Sequence, residues 1–498
     1  MGRERAGSTR AWWRWVPAGT ALAVLVVLTV SATRYGWHRD ELYFVVAGEH
    51  PAWSYPDQPP LTPLLAAMAN SIGGLGAVRI VAALLAACLP LLAAASAREL
   101  NGSKRAQGLA AIVMAAVPIT LLSGHLLTTT AVDLAAASTI TWLFLRALRT
   151  GRDRWFVLVG VVTAVGVTNK LLLPIVPAIL VVAIALSGPR RALRRWGLWV
   201  GAAIALAASA PLVVWQAAHD WPQAEMANRI SGRWDAAEFA FVLVAVAGLL
   251  LLPVFVAGLV ALLRGTVAPA GRPTGRFLAV AWLLLVVAML VTRGKAYYTA
   301  GLVAALVGAG ALAVDGWLSR GRASVRAWGL GSLIAVQAAL SVIVALPVLP
   351  LDVLGSSPVP AVNGEAAETV GWSELVRQVE RVRDDLPANA RAGAVVLTAN
   401  YGEAGALQLL GDFGPSVVFS GHNAFADWGP PPGGAGPVIV VGFRGDDYLD
   451  AVMTGCRRVA SIDNGHGVDN EEQGAPIHVC DGPVDDWSAV WRRLAHLD

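Results

Sequence analysis

The chain has 498 residues, 56% of them hydrophobic and only 14% charged, with a net charge of +4 and a mean hydropathy of +0.58. Soluble domains carry about 25% charged residues, so this composition excludes a soluble enzyme and a disordered chain and points to an α-helical polytopic membrane protein. The small basic excess falls in short loops between apolar runs, which is a pattern of topology and not of nucleic-acid binding.

A bilayer core takes about 20 residues per helix. Eleven apolar runs near that length follow in order: 16–33, 75–97, 106–123, 128–148, 154–169, 171–187, 197–216, 238–263, 277–292, 297–317 and 327–350. The basic stretch 1–15 leads into a long apolar run without a small-residue cleavage site, so the first helix is expected to be retained. Thr168-Asn169-Lys170, followed by Pro174 and Pro177, reads as a tight turn between two helices. Counting eleven spans puts six basic segments on one face: Arg3, Arg5, Arg10 and Arg14; Arg98, Lys104 and Arg105; Arg146, Arg149, Arg152 and Arg154; Arg190, Arg191, Arg194 and Arg195; Arg264, Arg272 and Arg276; Arg320, Arg322 and Arg326. The positive-inside rule makes that face cytoplasmic. The expectation is a multi-pass cell-membrane protein with its N-terminus in the cytoplasm and its C-terminal region outside.

Residues 351–498 change character, so the chain divides into a transmembrane domain, 1–350, and an extracytoplasmic domain, 351–498. Short apolar runs at 394–398, 417–420, 438–443, 459–462 and 477–480 alternate with helical stretches near 403–410, 446–454 and 487–497. That alternation argues for a small α/β domain with a partly parallel sheet. Ser373 is the expected cap of an amphipathic helix running to about Leu386. Cys456 and Cys480 both fall in this domain, and spacing leaves open whether they pair.

The loops opposite the basic face hold the residues with chemical potential. Asp40-Glu41 lies just past the first span, where a partly desolvated carboxylate can act as a general base or stand as an ordinary solvated acidic pair. Asp57-Gln58-Pro59-Pro60 begins a rigid loop before a helix. His125, Thr129 and Asp133 share a helical face at i, i+4 and i+8, as a polar cavity wall or a hydrogen-bonded helix entrance. Lys170 and the run Arg293-Gly294-Lys295-Ala296-Tyr297-Tyr298 put cations on the outer side, against the positive-inside bias. A lipid-linked phosphate would satisfy them, and so would snorkelling to headgroups. Trp215-Gln216 and His219-Asp220-Trp221-Pro222 mark another outer helix end, where tryptophan serves as an interfacial anchor or a sugar-stacking face. A Walker A loop, a dinucleotide fingerprint, a zinc motif and a Gly-x-Ser-x-Gly elbow are all missing from the sequence.

Taken in order, Asp40-Glu41, Asp57-Gln58-Pro59-Pro60, Ser123-Gly124-His125 with Asp133, Asn169-Lys170, Trp215-Gln216 with His219-Asp220-Trp221-Pro222, and Arg293-Gly294-Lys295-Ala296-Tyr297-Tyr298 resemble the bacterial branch of the dolichyl-phosphate-mannose protein mannosyltransferase superfamily. That branch is similar to glycosyltransferase family 39 and to the aminoarabinose transferases of lipid A. Tyr401-Gly402-Glu403-Ala404-Gly405 and Ser420-Gly421-His422-Asn423 look like its outer domain. The resemblance implies a GT-C membrane fold and a polyprenyl-phosphate-linked sugar donor. It implies an acceptor (protein, lipid or cell-wall glycan) on the extracytoplasmic face. It makes Asp40 the catalytic base, Glu41 its diad partner and Asp133 the second acidic position. Asp57, His125, Asp133, Lys170, Arg293, Lys295, Tyr297 and Tyr298 form the expected substrate-binding set. Some relatives use a divalent metal, and no ligand set for one is assigned here. Asp40 would take the proton of an acceptor hydroxyl as it attacks the anomeric carbon, with inversion. Arg293 and Lys295, with Lys170 or His125, would stabilise the departing phosphate. This reading expects one outer aqueous pocket bringing Asp40 within reach of Lys295. The competing readings are a transporter or flippase of a lipid-linked sugar, which would show repeated halves and midplane charges, and a glycan receptor on a membrane anchor.

Overall fold

The computed structural model describes residues 12–269, 275–320, 323–434 and 436–497. Arg3, Arg5, Arg10, Arg272 and Arg322, used above for topology, lie outside the described residues. The chain forms two compact units. One holds the residues up to Ala32 with Arg79–Ala218 and Ala227–Leu346; the other holds Thr33–Val78, His219–Met226 and the chain from Pro347 on.

The first unit is helical. Five helices are long and apolar enough to cross a membrane: Leu61–Glu99, Thr129–Thr150, Trp196–Ala218, Ala296–Leu318 and Ala323–Ala345. Counting each of two bent pairs as one span raises the number to seven. The helices Val16–Ser31, Ile175–Ser187 and Arg276–Val291 are apolar but shorter. Length and composition among the described residues thus stop short of eleven spans.

Two expected runs are broken, and a kink lies just before the start of a third, each for a local reason. At 106–123 the helix stops at Ala116 and restarts at Pro118, with a 58° bend. Proline drives the preceding residue out of the helical region, and Val117 has ψ 141°. At 238–263 the break is Gly248, at φ 77°, and the bend is 69°. The run Leu61–Glu99 is interrupted at Gly73 and at Gly74, whose φ is 58°. The turn expected at 168–170 is present, between the helices Asp153–Val167 and Ile175–Ser187. Helices approach where side chains are absent: a Cβ on Gly160 would meet the carbonyl oxygen of Gly201 at 2.1 Å. Close backbone contact of this kind holds helices together where apolar surroundings remove the hydrophobic drive.

The second unit contains a five-stranded sheet of order β2-β1-β3-β6-β5: Val395–Thr398 (β1), Val418–Ser420 (β2), Val438–Val441 (β3), Arg457–Ser461 (β5) and Pro476–Cys480 (β6). A two-residue ladder joins Met453–Thr454 (β4) to Gly482–Pro483 (β7). β1 runs parallel to β2 and β3, while β6 runs antiparallel to β3 and β5, so the sheet is partly parallel as expected. β1, β3 and β6 are wholly buried, as strands covered on both faces must be. Trp487, Val490, Trp491 and Leu494 of the helix Trp487–Leu494 join the core around β1 and β3. Cys456 and Cys480 form a disulfide, which resolves the alternative left by spacing. Ser373 does not cap its helix. The helix is Trp372–Asp384, with Gly371 as cap residue at φ 99°, a conformation that glycine adopts without strain.

Candidate active site

Two helices of the second unit, Arg39–Glu49 and Tyr401–Leu410, build an acidic cluster. Each begins with a capping box. In the first, Glu41 accepts from the backbone N–H of His38 at 3.0 Å, and the His38 ring accepts from the N–H of Asp40 at 3.2 Å. In the second, the Asn400 side chain accepts from the N–H of Glu403 at 2.9 Å, and Glu403 accepts from the N–H groups of Ala399 and Asn400 at 2.9 and 3.2 Å. The two helices pack closely because Gly402 and Gly405 lie on the contact face. A Cβ on Gly402 would come 2.9 Å from the Arg39 Cβ, and one on Gly405 would come 3.1 Å from Leu42.

That approach puts the Tyr401 hydroxyl against Asp40, donating to Oδ1 at 2.9 Å. A parallel arrangement holds Asp57, whose Oδ1 accepts from the Tyr43 hydroxyl at 2.6 Å. The Tyr43 and Tyr401 rings pack at 4.8 Å between centroids, and Arg39 lies over the Tyr401 ring at 5.1 Å. Two carboxylates are thus joined through two tyrosines. Burial pushes Asp57 up to about 7; the Tyr43 hydroxyl opposes the shift, and the charges of Asp40 and Asp427 add to it. Burial, with the charge of Asp40 beside it, holds the Tyr401 phenol well above its ordinary value, so the hydroxyl stays a donor at neutral pH. Glu41 is fully buried on the helix start, so of the expected diad Asp40 alone has a carboxylate turned towards the tyrosines.

The first unit holds a cationic cluster of its own. The Lys170 ammonium lies 4.3 Å from the Tyr298 ring centroid and 5.6 Å from that of Tyr297, and Lys295 lies 5.9 Å from Tyr297. The two tyrosine rings meet edge to face at 4.7 Å. Lys170 also acts electrostatically on Asp133, whose Oδ1 is buried with no hydrogen-bond donor. Asn169 fixes the turn before Lys170 by donating to the carbonyl of Thr129 at 2.9 Å. His125 is buried at the end of the helix Pro118–His125, and Arg293 is an exposed turn residue at φ 53°. The structure therefore gathers Asp133, Lys170, Lys295, Tyr297 and Tyr298 in one unit, and Asp40, Glu41 and Asp57 in the other.

Two residues were absent from the expected site. Tyr43 lies two residues past the Asp40-Glu41 pair, and Tyr401 enters the sequence reading only within the Tyr401–Gly405 stretch that resembles the outer domain. A signal for Tyr401 was present in the glycines that follow it, since a small-residue face marks close helix approach.

Residues 57–215 match the family described as dolichyl-phosphate-mannose-protein mannosyltransferase. No curated protein matches the chain in sequence. In fold the chain is similar to the crystal structure of ArnT from Cupriavidus metallidurans in the apo state, at 17% identity and a TM-score of 0.63, over 94% of this chain and 97% of that one. It is also similar to ArnT from Cupriavidus metallidurans bound to undecaprenyl phosphate, at 16% identity and a TM-score of 0.61, over 93% and 97% of the two chains.

Proposed function

From the match of residues 57–215 to that family and the ArnT-like fold, we propose that the chain is a GT-C member of the dolichyl-phosphate-mannose protein mannosyltransferase superfamily and that it transfers a sugar from a polyprenyl-phosphate donor to an acceptor hydroxyl on the extracytoplasmic face of the cell membrane. The observation that carries this reading is the Asp40–Tyr401 and Asp57–Tyr43 array. A carboxylate held by a neutral hydroxyl keeps its charge and one lone-pair side for an incoming proton. Asp40 takes the proton of the acceptor hydroxyl as its oxygen bonds to the anomeric carbon. The bond from that carbon to the phosphate oxygen breaks, and the lipid phosphate leaves with the electron pair. One displacement gives inversion.

Lys170 and Lys295 lie on tyrosine faces and so keep their N–H donors for phosphate oxygens. The similar fold bound to undecaprenyl phosphate supports a lipid phosphate as the leaving group. Arg293 and His125 extend the phosphate set in this proposal, and Asp133 orients Lys170. Glu41 is a positioning residue that holds the helix start and thereby aims Asp40. The N-terminus is cytoplasmic and residues 351–498 form the outer domain. The lipid tail remains in the bilayer, which delivers the donor already oriented.

The test is a radiolabelled polyprenyl-phosphate sugar incubated with membranes containing the protein. Label moving into an acceptor fraction with the anomeric configuration inverted is the expected result. Movement of intact donor across the bilayer without transfer would replace this reading with that of a flippase.

A further inference from the structure

The segment before the amphipathic helix of the second unit and the loop before β6 bring three carboxylates together. Glu368, Glu471 and Glu472 each offer an oxygen, and these oxygens all lie within 4.8 Å of one another. The partners present do not neutralise them. Arg39 pairs with Glu471, and Asn400 donates to Glu472 Oε1 at 3.3 Å. The backbone N–H of Glu471 donates to Glu368 Oε1 at 3.3 Å. The second oxygens, Glu368 Oε2 and Glu472 Oε2, are buried with no donor. Glu472 is only 5% exposed. A buried carboxylate oxygen without a donor is costly, and two of them turned into one cluster are more so, because neither can donate to the other unless it carries a proton. Arg39 pairs with Glu471, and its guanidinium is shared with the Tyr401 ring.

We propose that Glu368, Glu471 and Glu472 form a binding site for a divalent hard cation, Ca²⁺ by preference, separate from the Asp40–Asp57 array. The donor set is oxygen only, which suits Ca²⁺, Mg²⁺ or Mn²⁺ and not a thiolate- or imidazole-seeking metal. Three carboxylates leave room for water to complete six to eight ligands, which Ca²⁺ accepts more readily than Mg²⁺ accepts a distorted octahedron. A site this sparse is weak, on the order of 10⁻⁴–10⁻³ M, the range of extracellular Ca²⁺ modules. The ion ties the turn around Glu368 to the loop Glu471–Glu472, beside the cap of the Tyr401–Leu410 helix.

The experiment uses the purified full-length protein in detergent, with CaCl₂ alone and neither donor nor acceptor, so it does not depend on the transfer reaction. Calorimetric titration is expected to show one Ca²⁺ per chain, with a rise in melting temperature. Glu472→Gln and Glu368→Gln should each weaken binding at least tenfold. The exposed Glu471→Gln serves where a buried variant fails to fold, and the surface control Glu374→Gln should bind as wild type. No binding of Ca²⁺, Mg²⁺ or Mn²⁺ up to several millimolar, or binding unchanged in Glu471→Gln and Glu368→Gln alike, would overturn the site. An inactive protein that binds Ca²⁺ in this pattern would leave the site standing and count against the transferase reading alone.

Discussion

Tyrosine is used in opposite ways in the two units. In the second unit, Tyr401 and Tyr43 turn their hydroxyls to carboxylates, Asp40 and Asp57. In the first unit, Tyr297 and Tyr298 turn their ring faces to ammonium groups, Lys170 and Lys295. In both cases a charged side chain is held by a neutral partner, and its charge is not cancelled. Other charges in the same units are closed off by full counterions. Glu99 accepts from Arg146 and Arg149, and Asp153 accepts from Arg195. Such pairs are consistent with structure and leave nothing for a substrate, because breaking a buried pair strands a charge. The contrast separates charges kept for chemistry from charges kept for folding.

The largest test of that contrast is Asp40→Asn. The amide keeps the shape and still accepts from Tyr401, but it cannot take a proton. Transfer should fall about 10²–10⁴-fold, with expression and membrane insertion intact by quantitative blot. Turnover within tenfold of wild type would remove Asp40 as the base. Lys170→Ala comes next. Losing one charge-assisted contact to phosphate costs about 1.5–3 kcal/mol, which should raise the donor KM roughly tenfold or more while the acceptor KM stays put. Equal changes in both constants would make Lys170 a structural residue.

Tyr401→Phe should have a smaller effect, a loss of about tenfold in kcat, because one hydrogen bond to a charged group goes and the ring packing stays. The informative readout is the split between kcat and KM: kcat should fall while the KM values for donor and acceptor hold. Equal changes in kcat and both KM values would mean that Tyr401 does no more than fill space.

How much of this could be read in the sequence depends on how local each signal is. The strands were legible because runs such as Val395–Thr398 and Val438–Val441 are short, β-branched and bounded by turn residues. The helices of the first unit were legible as apolar, but their interruptions at Val117 and Gly248 were not, since hydropathy does not register a bend. Asp40 and Lys170 stood out because charge beside an apolar run needs a reason. Tyr43 did not, because an aromatic in a buried helix carries no such tension; its role comes from Asp57, 14 residues away. The role of Glu41 was hidden by its neighbour. Of the acidic pair expected as a diad, Glu41 caps the helix, and in the proposed function Asp40 is the carboxylate left for the acceptor proton.

That division gives a finer test. Glu41→Ala should cost about 1 kcal/mol of stability, the usual worth of a cap, seen as a lower melting temperature. Glu41→Gln still accepts from the His38 N–H and should recover most of it. In membranes at low temperature both variants should retain kcat within a few-fold, unlike Asp40→Asn. A Glu41→Gln variant as dead as Asp40→Asn would restore the diad.

The last expected effect is on the stability of the second unit, not on catalysis, and follows from its buried acids. Burial raises Asp57 and Glu403 to about 7, and burial with neighbouring carboxylates raises Glu472 to about 8. Unfolded, these groups titrate near 4. The folded protein therefore binds their protons more tightly than the unfolded chain does, and stability falls wherever they are lost. Their contribution is fully present below about pH 4 and is lost as pH rises through 7 to 8. With chelator present, the melting temperature of the detergent-solubilised protein should decline from pH 5 to pH 9. Asp57→Asn carries no proton to lose and should flatten that slope. A wild-type slope of the opposite sign, or one that Asp57→Asn leaves unchanged, would mean that Asp57 keeps enough water to ionise freely in the folded protein.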